Sequence, residues 1–290
     1  MTRTGAWIEA VRLRTLPVSL SGVMAAAGYV AASGLDADWR WAPVCLAFAV
    51  LAQIASNFAN EYFDFRDGID TATGRRGPER GVAGGIISPR AMLTATMATL
   101  GIACLIGLST LLRGGWEMLP CGIIIALGAL GYSAGPYPFS RHCLGELAVI
   151  LLYGIAPVVL TVYLLTLTLP AGAWITGAAI GLWGAMVLLV NNYRDIDADS
   201  RAGKHTLSTI IGPQGSALLF CGLGQLTGMS LWLGGGMSWG VLPLIPIVLG
   251  FAGGYVLYRG GLEGAQCTRL LAITSVLLFV ATFFQMILAL

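Results

Sequence analysis

The chain has 290 residues, is 57% hydrophobic and only 10% charged, and carries a formal net charge of +2. Soluble domains carry about a quarter charged residues, so the composition excludes an ordinary soluble protein and predicts an integral membrane protein. No run of Lys or Arg forms a basic arm, so no nucleic-acid partner is expected.

A bilayer-crossing helix needs about 20 mostly apolar residues. Nine stretches qualify, and together they predict an all-α, multi-pass helical bundle forming one membrane-embedded domain over 1–290. The first is 16–34; nothing before it reads as a signal peptide. The second, 41–63, runs into "NFANEYFDFRDGID" (57–70). Spans 91–112 and 117–134 follow, the latter leading into "GPYPFSRHCLGE" (135–146). Span 145–168 starts beside Glu146, and span 172–193 runs into "NNYRDIDAD" (191–199). Spans 215–235, 238–258 and 267–289 complete the set; "GLGQLTG" and "GFAGG" within them suit close helix packing in lipid. Six scattered cysteines, none in a CxxC pair, read as small core residues.

Lys and Arg gather on the cytoplasmic side of membrane proteins. Alternating the loops from an inside N-terminus puts fourteen of the sixteen basic residues inside and leaves only Arg40 and Arg113 outside. This predicts an inner (plasma) membrane protein with its N-terminus cytoplasmic and its C-terminus outside. The two longest inside loops, 64–90 and 194–214, follow the second and sixth spans. Four spans preserve direction, which predicts two four-helix pseudo-repeats plus a ninth helix.

All four asparagines (Asn57, Asn60, Asn191, Asn192) lie at the inner ends of those two spans, with six of the eight aspartates. Asn60, Asp64 and Asp67 fall within about 60° of arc at 100° per residue; Asp70 lies beyond Gly68, which is expected to end the helix. In the second cluster Asn191, Asp195 and Asp199 climb one face, while Asp197 points elsewhere. Stacked carboxylates stay ionised only when cations sit among them. Several hard oxygen ligands suit Mg²⁺, which takes one or two carboxylates, keeps waters and binds substrate phosphates. The expected metal ligands are therefore Asn60, Asp64, Asp67, Asp70, Asn191, Asp195 and Asp199, with a diphosphate between the clusters. Arg76, Arg80 and Lys204 follow closely and can neutralise phosphate oxygens. Glu61 points about 100° from Asn60. Glu146, a carboxylate at the mouth of an apolar span, is a candidate active-site residue. Tyr132 could stabilise a cation through its ring. His142 and His205 have no partner at ligand spacing.

The motifs "RLRTLPVS" (12–19), "NEYFDFRDGID" (60–70), "RGPERG" (76–81), "YSAGPYPF" (132–139), "LGE" (144–146) and "NNYRDIDADSRAGKHTL" (191–207) carry a resemblance. The chain resembles the UbiA superfamily of intramembrane prenyltransferases over nearly its whole length, and most of all the branch that prenylates 1,4-dihydroxy-2-naphthoate in menaquinone biosynthesis. The resemblance implies a nine-helix bundle around a central cavity open at the cytoplasmic face. It implies Mg²⁺ and the diphosphate of a polyprenyl donor held by two Asp-rich motifs. Carried over, Asn60, Asp64 and Asp70 belong to the first motif, and Asp195 and Asp199 to the second with Asn192 beside them. Lys204 and Arg80 match positions that hold diphosphate, and Asp64, Asp195 and Lys204 become the catalytic candidates. Glu61 stands where the family usually has Asp. The long step from Asp64 to Asp70, followed by "RGPERG", resembles the naphthoate branch rather than the 4-hydroxybenzoate branch.

Three other readings compete. A cation-coupled transporter would place its carboxylates at the midplane. A CDP-alcohol phosphotransferase would carry an arginine that "DGIDTA" lacks. A related prenyltransferase would use 4-hydroxybenzoate or homogentisate.

Overall fold

The computed structural model describes residues 1–70 and 77–290, with side chains at all of these except 235–237. Among the described residues no strand forms; a single backbone bridge joins His142 to His205. The helices are α1 (Arg3–Val11), α2 (Leu16–Ala32), α3 (Ala42–Arg66), α4 (Pro89–Ser109), α5 (Met118–Gly131), α6 (Gly145–Thr166), α7 (Ala171–Arg201), α8 (Leu207–Gly235), α9 (Leu244–Arg259) and α10 (Gly264–Ala289).

Six helices, namely α3, α4, α6, α7, α8 and α10, are long and apolar enough to cross a membrane. The pair α1 and α2, bent by 40°, makes a seventh if it crosses as one span. Two of the expected spans are short helices: α5 has 14 residues and α9 has 16. Chain chemistry limits α5, since Gly135 (φ 94), Pro136 and Pro138 follow closely and none of them extends a helix. Helix α1 was not among the expected elements. Thr2 caps it by accepting the Gly5 N–H at 3.1 Å. Ala6 and Ala10 pack against Phe58, Val82 and Ile87, so α1 lies across the loop that follows α3.

Helix α7 is the centre of the bundle. In its most apolar stretch 72% of residues are buried, against 17% in peripheral α4. Trp183, Ile180 and Met186 are fully buried there. Helices α2, α6, α8 and α10 pack around it, and α10 packs against α2 to bring the two ends of the chain together. Glycine sets the tightest contacts. Part of α6, Ile150–Ile155, is a π-helix, and its Gly154 meets Gly181 of α7 so closely that an added Cβ would lie 2.3 Å from Gly181 Cα. The "GLGQLTG" and "GFAGG" stretches pack on each other in the same way: a Cβ on Gly224 of α8 would lie 2.8 Å from Gly250 Cα of α9. Such small-residue contacts let helix backbones approach where lipid offers no hydrophobic drive.

The ends of the bundle differ in chemistry. At one end Arg113 donates to Leu164 O and Leu165 O at 3.1 Å, and Asp38 pairs with Arg40 at 2.8 Å. Exposed Trp39, Trp116 and Trp174 sit in or beside the turns there, an arrangement typical of a membrane interface. The Asn/Asp clusters lie at the opposite end, where α3 and α7 terminate. No disulfide joins any of the six cysteines; Cys45 and Cys267 are buried and Cys104 is exposed.

Candidate active site

Helices α3 and α7 end with the same local structure. After α3, Gly68 is left-handed (φ 75), its N–H reaches Phe65 O at 3.1 Å, and the Ile69 N–H reaches Asp64 O at 2.8 Å. After α7, Gly203 is left-handed (φ 71), its N–H reaches Ser200 O at 3.2 Å, and the Lys204 N–H reaches Asp199 O at 2.9 Å. Both are Schellman caps, and glycine takes the left-handed position without steric cost. Asp64 and Asp199 therefore occupy equivalent positions in the last turn, with Asn60 and Asp195 one turn earlier. Carboxylates there oppose the helix dipole, whose C-terminal end is already negative. The fold must bring cations to them.

It does so for each acid. Asp64 accepts from Arg141 at 3.1 Å and from Asn60 Nδ2 at 3.0 Å. Asp195 is gripped by both arms of Arg194, at 2.6 and 3.0 Å. Asp199 lies 3.4 Å from Lys204 Nζ, and Asp70 lies 3.6 Å from Arg80 Nε. Asn60 is the hub: its Oδ1 accepts from Arg12 and from Arg80 (3.1 Å), and its Nδ2 also donates to Ser133 Oγ at 2.9 Å. Arg194 further donates to Asn191 Oδ1 at 2.8 Å and to Thr268 of α10 at 3.2 Å.

Asn60, Asp64, Asn191, Asn192, Asp195, Asp199, Arg80 and Lys204 all line one open cavity. A second chamber adjoins it, lined mostly by apolar residues such as Val23, Phe48, Met118 and Leu160. Gln53, Ser56, Tyr132 and Tyr153 line both, so a polar head and a long apolar tail can be housed end to end.

The remaining expected residues lie elsewhere. Asp67 caps α3 outside the cavity wall and is held by Arg66 and Arg141, each at 2.7 Å. The Arg66 hydrogen bond is the main influence keeping its carboxyl below the usual range, and Arg141 adds to it against a smaller opposing effect of burial. Asp70 is buried behind Arg80 rather than in the cavity lining. Glu146 is buried behind Asn192, accepting its Nδ2 at 2.9 Å. That bond leaves Asn192 Oδ1 as the acceptor on the cavity side. Asp197 is exposed. Arg76 lies outside the described residues.

Three cations that matter here were not among the expected site residues: Arg12, Arg141 and Arg194. Arg12 stands in "RLRTLPVS", beyond the helix that carries its partner; its left-handed backbone (φ 58) turns the chain between α1 and α2. Arg141 is held by a backbone strap between loops, in which Cys143 N–H donates to His205 O (2.7 Å) and His205 N–H donates to Arg141 O (3.1 Å). Only Arg194, adjacent in sequence to Asp195, carried a local signal. Arg141→Met strips Asp64 of a buried charged hydrogen bond and is expected to lower stability by about 2 kcal/mol. Thermal unfolding in detergent measures this, and an unchanged midpoint would contradict the assigned contact.

The donor set fits a hydrated divalent metal. Among the described residues no three His, Cys, Asp or Glu side chains converge on one point. A metal here would take one or two carboxylates from each helix end and keep other ligands from water or substrate, the usual habit of Mg²⁺. Among the described residues, Glu9, Glu61, Asp64, Glu79, Asp195 and Asp199 line the cavity together with Arg12, Arg14, Arg80, Arg194 and Lys204.

Comparison with known proteins follows the same line. The UbiA prenyltransferase family model matches residues 21–262. A 1,4-dihydroxy-2-naphthoate octaprenyltransferase of Mycobacterium tuberculosis is 35% identical, covering 89% of this chain and 88% of its own. Its namesake in Haemophilus influenzae is 32% identical, covering 74% and 72%. Among solved structures, a UbiA homologue from Archaeoglobus fulgidus bound to DMAPP and Mg²⁺ superposes with a TM-score of 0.68 at 15% identity, over 97% of this chain and 99% of that one.

Proposed function

The chain belongs to the UbiA prenyltransferase family, and on that premise we propose that it transfers a polyprenyl chain from polyprenyl diphosphate to 1,4-dihydroxy-2-naphthoate, releasing CO₂ and diphosphate and giving the hydroquinone form of demethylmenaquinone, whose later two-electron oxidation yields the quinone. The observation that carries the chemistry is the meeting of two chambers at Tyr132 and Tyr153, one lined by both Asn/Asp helix ends and the other apolar. The acceptor rests on the names of its curated relatives.

Asp64, Asn60, Asp195, Asp199 and Asn191 would hold Mg²⁺, which when bound supplies positive charge to the departing diphosphate oxygens. Arg80 and Lys204 meet the same oxygens from the chain itself, with Asn192 beside them. The apolar chamber takes the isoprenoid and keeps water from the allylic carbon as its C–O bond breaks. The electron-rich ring attacks that carbon, a C–C bond forms where the carboxylate stood, and CO₂ departs with the electron pair returning to the ring. Tyr132 and Tyr153 flank the junction where positive charge develops.

The whole chain acts as one domain. Nine crossings, α2 to α10, place the N-terminus and the cavity mouth in the cytoplasm of an inner membrane and the C-terminus outside, following the Lys/Arg asymmetry. Helix α1 lies along the cytoplasmic surface. Matching caps on α3 and α7 are what two four-helix halves plus a ninth helix would produce.

The test is purified protein in detergent with geranylgeranyl diphosphate, Mg²⁺ and one aromatic acid at a time. Prenylated product with release of labelled CO₂ from dihydroxynaphthoate is expected, abolished by EDTA and restored by Mg²⁺. Product only from 4-hydroxybenzoate or homogentisate would reassign the acceptor.

A further inference from the structure

Glu61 is buried at 2% exposure in the cavity lining beside Asn60. Its two oxygens have separate partners in the segment after α3. Oε1 accepts the Val82 N–H at 3.0 Å, and Oε2 lies 3.8 Å from Arg80 Nη1. Arg80 in turn donates to Asn60 Oδ1 at 3.1 Å and stands 3.6 Å from Asp70. The segment has little freedom on its other side. A Cβ on Gly81 would lie 2.8 Å from Ile87 and 3.2 Å from Ala6 of α1, and Val82 is itself buried. Pro78, Glu79 and Arg80 thereby form one wall of the cavity.

We propose that Glu61 is a positioning residue rather than a metal ligand: it ties the 78–82 segment to α3 so that the Arg80 guanidinium stands over Asn60 and meets the diphosphate. The proposal rests on the prenyl-transfer reading of the cavity. Side-chain length is part of the device. An aspartate at this position is one methylene shorter and cannot keep both the Val82 N–H and the Arg80 contact at the present backbone spacing. All three of Asn60, Glu61 and Asp64 line the cavity, but Glu61 alone among them is tied to Val82 and Arg80 and so holds the wall they form.

The test uses the full chain in detergent. Binding of geranylgeranyl diphosphate is measured by calorimetry and turnover by product formation across a Mg²⁺ titration. Glu61→Ala is expected to raise Kd and KM for the prenyl diphosphate by about 10- to 100-fold, the range for losing a buried hydrogen bond to a charged group. The half-saturating Mg²⁺ concentration stays at the wild-type value. Glu61→Gln keeps an oxygen for the Val82 N–H and is expected to lose only about 3-fold, since it gives up only the longer, 3.8 Å contact to Arg80. Glu61→Ala in an Arg80→Ala background should add no further loss, because the first change acts through the second residue. A shift in Mg²⁺ half-saturation, or losses that multiply in the double variant, would overturn the positioning role. If the alanine variant does not fold, Glu61→Gln decides: retained affinity at unchanged Mg²⁺ demand supports the tether, and a raised Mg²⁺ demand refutes it. Wild-type protein that binds no prenyl diphosphate would instead sink the reading of the cavity itself.

Discussion

Asp64→Ala and Asp195→Ala are each expected to cut prenyl transfer by about a thousandfold, the scale for removing a preorganised group that stabilises transition-state charge. Each acid lines the cavity from a different helix end, so neither can stand in for the other. Both changes should also raise the Mg²⁺ needed for half-maximal rate. Asp195→Ala leaves the buried Arg194 guanidinium without its carboxylate, whereas after Asp64→Ala Arg141 keeps Asp67, so unfolding must be followed beside activity. The control is Asp197→Ala. It lies in the same acidic run but is exposed, and its rate should stay within about threefold, as for surface substitutions generally. Activity that survives both cavity substitutions would remove the metal from the scheme.

The contrast between Asp195 and Asp197 was legible in the sequence because helical periodicity alone separates residues two apart. Periodicity likewise put Asn60, Asp64, Asp195 and Asp199 on the cavity side, and composition placed α3, α6, α7 and α10 in a membrane. What the sequence hid depends on bends and on contacts between loops. Arg12 meets Asn60 because the chain bends at Arg12 between α1 and α2, and Arg141 reaches Asp64 through a strap between two loops. No local pattern records either approach. Asp67 misled for the opposite reason: an ideal helix puts it beside Asn60, but α3 stops at Arg66, and the cap turns its side chain toward Arg66 and Arg141. Hydropathy also ran past the real ends of α5 and α9, since apolar residues continue into turns that Gly and Pro have already imposed.

Gly154→Ala tests how far the site depends on packing below it. The added methyl would fall 2.3 Å from Gly181 Cα, 2.4 Å from Gly181 N and 2.5 Å from Gly177 O, all backbone atoms that cannot rotate away. Overpacking of this kind costs about 1–3 kcal/mol, and here relief requires α6 and α7 to separate. Those two helices carry the two members of the Glu146–Asn192 hydrogen bond, and α7 continues to Asp195 and Asp199. Gly154→Ala is therefore expected both to lower the unfolding midpoint and to reduce turnover, although it touches no group in the cavity wall. The same substitution at Gly101 of α4 should act in the reverse direction. Its Cβ would meet nothing within 4 Å, and replacing an open helical glycine by alanine gains about 0.5–1 kcal/mol. Opposite signs for one chemical change at two helix positions would locate the stability of the bundle in the α6–α7 contact. A Gly154→Ala protein as stable and active as wild type would show that the two helices do not meet as closely as Gly154 and Gly181 require.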